Sequence, residues 1–159
     1  MQILGGALLG RRVGSATFVP QSVFVIRESV MPSIAMLSLV VRDYDEALAF
    51  YVGGLGFELI EDTAVPEQNK RWVVIAPPGG SGATLLLARA VGEEQVSRIG
   101  NQTGGRVFLF LHTDNFDRDF ARFESAGATL VRPPSDEPFG RVAVFADLYG
   151  NLWVLIEPA

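Results

Sequence analysis

Cysteine is absent from this chain, and histidine occurs once, at His112. The first absence excludes disulfides, thiol nucleophiles and thiolate metal sites, and leaves the compartment open. The second confines any divalent metal site to His112 plus carboxylates, or to carboxylates alone. No apolar run approaches the roughly 18 residues of a membrane span. A basic patch is also missing. Of 13 basic residues, Arg11, Arg12 and Arg27 lie in the first thirty positions with one acid, Glu28, so residues 31–159 carry a net charge of −7. That balance argues against a nucleic-acid or anionic-membrane partner, either of which needs clustered cations. What remains is 48% hydrophobic and 19% charged over 159 residues, the composition of a globular domain with a substantial core, expected in the cytoplasm.

The first thirty residues stand apart. The apolar stretch Ile3–Leu9 has no preceding cation, and Arg11-Arg12 follow it, which is the wrong order for a secretory signal. Gly14, Ser15 and Pro20 interrupt what a twin-arginine signal would keep apolar. Residues 1–30 therefore read as a loosely ordered extension upstream of a start at Met31 or Met36, dispensable except for strand character at Ser22–Ile26.

The clearest signal is a change of hydrophobic period in the stretch Arg106–Glu124. Val107, Leu109 and Leu111 alternate with Phe108, Phe110 and His112, as in a strand covered on both faces. From Asp114 the period changes: Phe116, Phe120 and Phe123 form a helical stripe, with Asp114 as the expected N-cap and Gly127 as the stop. The same grammar occurs earlier. The apolar run Ile34–Val41 leads to Asp43, which with Glu46 spells a capping box, and Tyr44, Ala47, Leu48 and Tyr51 share a helical face.

Strands are then expected over 57–60, 71–76 and 83–88 in the first unit, and over 128–132, 141–147 and 152–157 in the second. Loops are expected over 61–70 and around Pro133-Pro134, and a short helix over 93–99. The chain thus reads as an α+β protein of two βαβββ modules. Residues 31–159 form one domain: module one at 34–88, a linker at 89–105 and module two at 106–158.

Two segments carry a family resemblance: LVVRDYDEALAFYVGGLGFEL at Leu39–Leu59 and VFADLYGNLWVLIEP at Val144–Pro158. With the repeated strand-helix-three-strand order, they resemble the vicinal oxygen chelate superfamily of glyoxalase I, bleomycin-resistance proteins, fosfomycin-resistance transferases and extradiol dioxygenases. The resemblance implies curled mixed sheets around a cleft, and in metal-dependent members four strand residues, usually His or Glu, that hold a divalent ion. Carried over by spacing, those positions fall on Met36, Phe108, Val154 and, within one residue, Leu86. None of these can ligate a hard metal, so no metal and no cofactor is expected.

If Phe108 faces the cleft, alternation brings Met36 and Ser38 of the first strand, Phe110 and His112 of its own strand, and Val154 of the last strand to the same apolar, aromatic cavity. Arg71, Arg106 and Arg141 begin strands and could clamp an anion; Arg106, beside Gly104-Gly105, leads them, while Asn101 and Gln102 stay ambiguous. Trp153 is expected under a helix, and Trp72 is open. The reading is a protein, leaning away from an enzyme, that binds or sequesters a small apolar or aromatic molecule and forms a homodimer. The alternatives are a glyoxalase-type lyase or dioxygenase with a relocated metal, and a dimerisation module with a closed core.

Overall fold

The computed structural model of the protein describes residues 32–80 and 82–159; the expectations for 1–30 lie outside the described residues. Eight strands form two four-stranded mixed sheets. The first contains β1 (Met36–Val41), β2 (Glu58–Val65), β3 (Lys70–Ala76) and β4 (Thr84–Arg89) in the order β1-β4-β3-β2. The second contains β5 (Val107–His112), β6 (Thr129–Glu137), β7 (Gly140–Ala146) and β8 (Leu152–Pro158) in the order β5-β8-β7-β6. In each, the opening strand runs parallel to the closing strand of its module, and the other pairs are antiparallel. The two sheets do not close on each other. Helix α1 (Tyr44–Leu48) continues into a π-helical turn at Ala49–Gly54, and α3 (Phe116–Ser125) is its counterpart; α2 (Gly92–Val96) lies in the linker. Among the described residues no helix is long and apolar enough to cross a membrane.

Both segments expected to be loops are strands in part, although Pro66–Gln68 within the first form a 3-10 turn. The polar run Glu61–Val65 belongs to β2, and Pro133-Pro134 lie within β6. Each is the outer strand of its sheet, bonded on one side only, so polar side chains and missing N–H groups are tolerated there. Register shifts at Leu59/Glu61, Leu130/Arg132 and Arg132/Ser135 absorb the mismatch. The helix caps differ too. Asp43 caps α1 by accepting from the N–H groups of Asp45 and Glu46, but Glu46 does not reach back; its carboxylate meets Arg42 and Tyr149 instead. Asn115, not Asp114, caps α3, accepting from the Arg118 N–H at 2.9 Å, while Asp114 pairs with the Arg118 guanidinium.

The helix-facing sides of both sheets share one core. Leu39, Val41 and Leu87 of the first sheet join Phe145, Trp153 and Leu155 of the second around Tyr51 and Phe123. Trp153 lies under the helices as its alternation requires, with ring centroids 5.9 Å from Tyr51 and 6.4 Å from Phe123. The π-helical turn widens the helix end so that consecutive Phe50 and Tyr51 are both buried. It also brings Gly54 against Ala126 at the end of α3, where an added Cβ would stand 2.7 Å from the alanine Cβ.

One carboxylate ties the modules together. Asp147, buried in the turn before β8, accepts on Oδ2 from the Tyr51 hydroxyl (2.6 Å), Asn151 Nδ2 (2.9 Å) and Trp153 Nε1 (3.1 Å). Its Oδ1 accepts from the N–H groups of Tyr149, Gly150 and Asn151. Burial and the neighbouring Asp147 push the Tyr51 hydroxyl well above its ordinary pKa, so it stays a donor. Across the same junction the Tyr149 hydroxyl meets Glu46 at 3.0 Å and the Asp43 carbonyl at 3.3 Å. Asp147→Ala removes the acceptor of the Tyr51, Asn151 and Trp153 side chains and of the Tyr149 and Asn151 N–H groups, and should cost at least about 3 kcal/mol in denaturant unfolding. Tyr51→Phe, which removes a single donor, should cost about 1–3 kcal/mol by the same measurement.

Candidate functional site

Strand pairing assigns the two faces of each sheet. In the first, Val73 opposite Leu87 and Ile75 opposite Leu85 face the shared core, so by alternation Trp72 and Val74 are on the other side of the sheet, where Val74 is itself buried. Val74 pairs with Glu61 on one side and Leu86 on the other, and Leu86 pairs with Ser38, giving one row across the outer face. In the second sheet the corresponding row is Phe110, Val154, Val144 and Arg132, with His112 opposite Ile156 in the next. Because the opposite faces converge on a common core, these two apolar surfaces point away from each other.

The expected cavity residues therefore divide. Met36 and Ser38 lie on the first outer face, and Phe110, His112 and Val154 on the second. Phe110 is 68% exposed. Phe108 does not share its face in simple alternation: a bulge between Val107 and Leu109 breaks the register, and half-buried Phe108 packs against the core. Arg106 is exposed and has no ion pair among the described residues. Arg141 is engaged by Asp117 at 2.9 Å and lies 4.4 Å over the Phe116 ring. Gln102 accepts from the Val40 N–H at 3.0 Å, covering part of the β1 edge, while Asn101 is exposed.

Three cavities adjoin the sheets among the described residues, the smallest, of about 400 Å³, lined by Asp43, Asp45, Lys70, Arg71 and Arg89. One of about 440 Å³ lies between the modules, bounded by His112, the Pro77-Pro78 turn and the α3 residues Arg118 and Arg122. Its charges are already matched, since Arg118 pairs with Asp114 and Asp119 and Arg122 with Asp119. Burial raises the Asp119 carboxyl, but bonds from Arg118 and Thr113 outweigh it and hold the group below the usual range. A larger cavity of about 540 Å³ lies at the end of β3 and β4, lined by Trp72, Leu86, Ala88, Lys70, Arg71 and Arg89. Arg71 is held by Asp62 at 2.5 Å and Asp45 at 2.7 Å, and its hydrogen bond lowers the Asp62 pKa. The role of Trp72 was not legible in the sequence, because which of Trp72 and Val73 meets the core depends on the pairing with β4.

A family model described as the glyoxalase/bleomycin resistance protein/dioxygenase superfamily matches residues 33–155. The chain belongs to this superfamily. It is 60% identical over 125 residues to an uncharacterized protein of Shewanella frigidimarina (strain NCIMB 400), covering 79% of this chain and 93% of that one. Among solved structures it is similar to UcmS2, with a TM-score of 0.68 and 29% identity over 80% of this chain and 99% of that one. It is also similar to TnmS3, an antibiotic binding protein from Streptomyces sp. CB03234, with a TM-score of 0.64 and 29% identity over 83% of this chain and 100% of that one.

The side chains at the positions that the resemblance assigns to metal ligands do not fit a divalent ion. Met36, Leu86, Phe108 and Val154 offer one thioether and three hydrocarbons to a site that needs oxygen or imidazole donors. Among the described residues no three His, Asp or Glu side chains converge as ligands.

Two measurements follow from this arrangement. Phe110→Ala should change unfolding stability by less than about 0.5 kcal/mol, as at other exposed positions, whereas Trp153→Ala should cost about 3–5 kcal/mol. Asp62 and Asp119 both titrate below the ordinary aspartate value in the folded chain. Their contribution is thus complete above the unfolded pKa of about 3.9 and is lost as pH falls through the lower folded values. The thermal midpoint should fall from about pH 5 to about pH 2, less steeply in the Asp62→Asn, Asp119→Asn double variant.

Proposed function

We propose that this protein binds and sequesters a small apolar or aromatic molecule, without catalysis, in a cleft formed when two copies bring complementary outer faces together. The observation that carries the reading is Phe110, a large apolar side chain left 68% exposed on the outer face of the second sheet beside Val154. A face of this kind on a soluble scaffold marks a partner or ligand surface. In the homodimer, Met36 and Ser38 of one copy oppose Phe110, His112 and Val154 of the other, with Arg106 at the mouth and Phe108 supporting the wall from behind. The similarity to an antibiotic binding protein supports a small-molecule ligand. The donor set at the metal positions supports binding over a metal-dependent lyase or dioxygenase.

Sedimentation velocity of wild type at micromolar concentration is expected to give a species of twice the chain mass. Neutral N-phenylnaphthylamine is expected to brighten on addition, with affinity reduced several-fold in Phe110→Ala. A monomer that brightens no apolar probe sinks the reading. One equivalent of tightly held metal per chain, with glyoxalase-type turnover lost on chelation, would replace it with the enzymatic alternative.

A further inference from the structure

Resting on the two-copy reading above, we propose that β1 of one copy bonds edge to edge with β5 of its partner, and β5 with the partner's β1, so that each cleft is walled by one sheet continuous across two chains. The four outermost strands, β1 and β2 of the first sheet and β5 and β6 of the second, are not alike. β2 and β6 are protected against pairing. Register shifts break both, β2 carries Glu58, Glu61 and Asp62, and β6 carries Pro133 and Pro134, which have no N–H to give. β1 and β5 have none of these devices along the stretch that matters. The β1 sequence MLSLVV keeps one register, and β5 runs from Leu109 to His112 in one register without proline or carboxylate.

The backbone shows which groups these two edges leave open. The Thr84 N–H donates to the Ala35 carbonyl at 3.0 Å and the Ala90 N–H to the Val41 carbonyl at 2.9 Å, so the odd-numbered residues of β1 turn their peptide groups to β4. Alternation then points the N–H and C=O groups of Met36, Ser38 and Val40 to the open side. The chain covers one of them itself, since the Val40 N–H donates to Gln102 Oε1. On β5 the Thr113 N–H reaches the Ile156 carbonyl at 2.9 Å, which leaves the open groups on Phe110 and His112. These same residues carry their side chains on the outer faces, so a strand added at either edge also extends a binding face. Ile34, just ahead of β1 and of the same parity, is 72% exposed; it and Phe110 are the two most exposed large apolar side chains among the described residues.

Closure selects the partner. Pairing β1 with β1 and β5 with β5 would use two different two-fold axes and run on into an open chain of copies. Pairing β1 with β5 uses a single axis, repeats on the other side of the dimer and leaves neither edge open. Within one chain the two strands belong to separate sheets and do not pair with each other. Each junction sets Met36 and Ser38 of one copy beside Phe110 and His112 of the other, so neither cleft is complete in a monomer.

Ser38→Pro tests this, because Ser38 is exposed on an edge where its N–H bonds to nothing among the described residues, and such a position accepts proline. Sedimentation velocity should show full-length wild type and Ser38→Ala as dimers, with Ser38→Pro keeping its cooperative unfolding but associating at least about tenfold more weakly. Hydrogen exchange of wild type gives a readout that does not depend on how the variant folds. The Ser38 and Phe110 amides should slow by at least about tenfold as the protein is concentrated from monomer to dimer, while the Leu39 amide, already turned to β4, should not change. A dimer whose Ser38 and Phe110 amides exchange as fast as in the monomer, or a folded Ser38→Pro that associates like wild type, overturns the edge pairing; brightening of N-phenylnaphthylamine by that dimer leaves the binding function standing. Protection of Ser38 that does not vary with concentration also overturns it, because the edge is then covered by another segment of the same chain. A wild type that stays monomeric and brightens no probe overturns both.

Discussion

The buried Asp147 carboxylate is the constraint on which this architecture depends. A βαβββ module can bury the helix-facing side of its own sheet, but nothing within one module fixes where the second sits. Asp147 does so by collecting three backbone N–H groups from its own turn and side-chain donors from Asn151, Trp153 and Tyr51. Tyr51 is the one donor from the first module, so the hydrogen bond that completes the carboxylate also sets the position of one helix against the other sheet. A desolvated carboxylate tolerates little displacement of its donors.

The neighbouring contacts follow from that position. The Tyr149 hydroxyl reaches Glu46 and the Asp43 carbonyl at the start of α1. Gly100 passes so close to the Tyr149 carbonyl that any side chain there would collide with it. Gly54 lets the two helix ends approach at Ala126. Both glycines exist for proximity across the module junction, and neither contact could form if the modules were joined differently.

Packing the helix sides inward leaves the other two faces for function. On the first, the pairing of β3 with β4 turns Trp72 outward, while Arg89 lies on the helix-facing side, held by the Tyr44 ring and the Asn69 carbonyl. On the second, Phe110 and His112 project from β5. The outer faces mix apolar side chains with charge at their outer strands, Glu61 on the first and Arg132 on the second.

The sequence by itself determined the elements whose cause is local. Period changes at Asp43 and Asp114 marked both helices, Gly127 marked a stop, and alternation placed Trp153 under the helices. It also determined the family, through the segments ending at Leu59 and Pro158. Tertiary structure decided what depends on a partner strand. The polar residues of β2 and the prolines of β6 carry no strand signal, yet they pair because an outer strand needs hydrogen bonds on only one side. The bulge that separates Phe108 from Phe110 arises from the register with β8, which alternation along β5 cannot contain. Whether Trp72 or Val73 entered the core was fixed by the partner Leu87 across the sheet. A side chain's period is written in its own strand; the face it serves is chosen by the neighbour to which that strand is bonded.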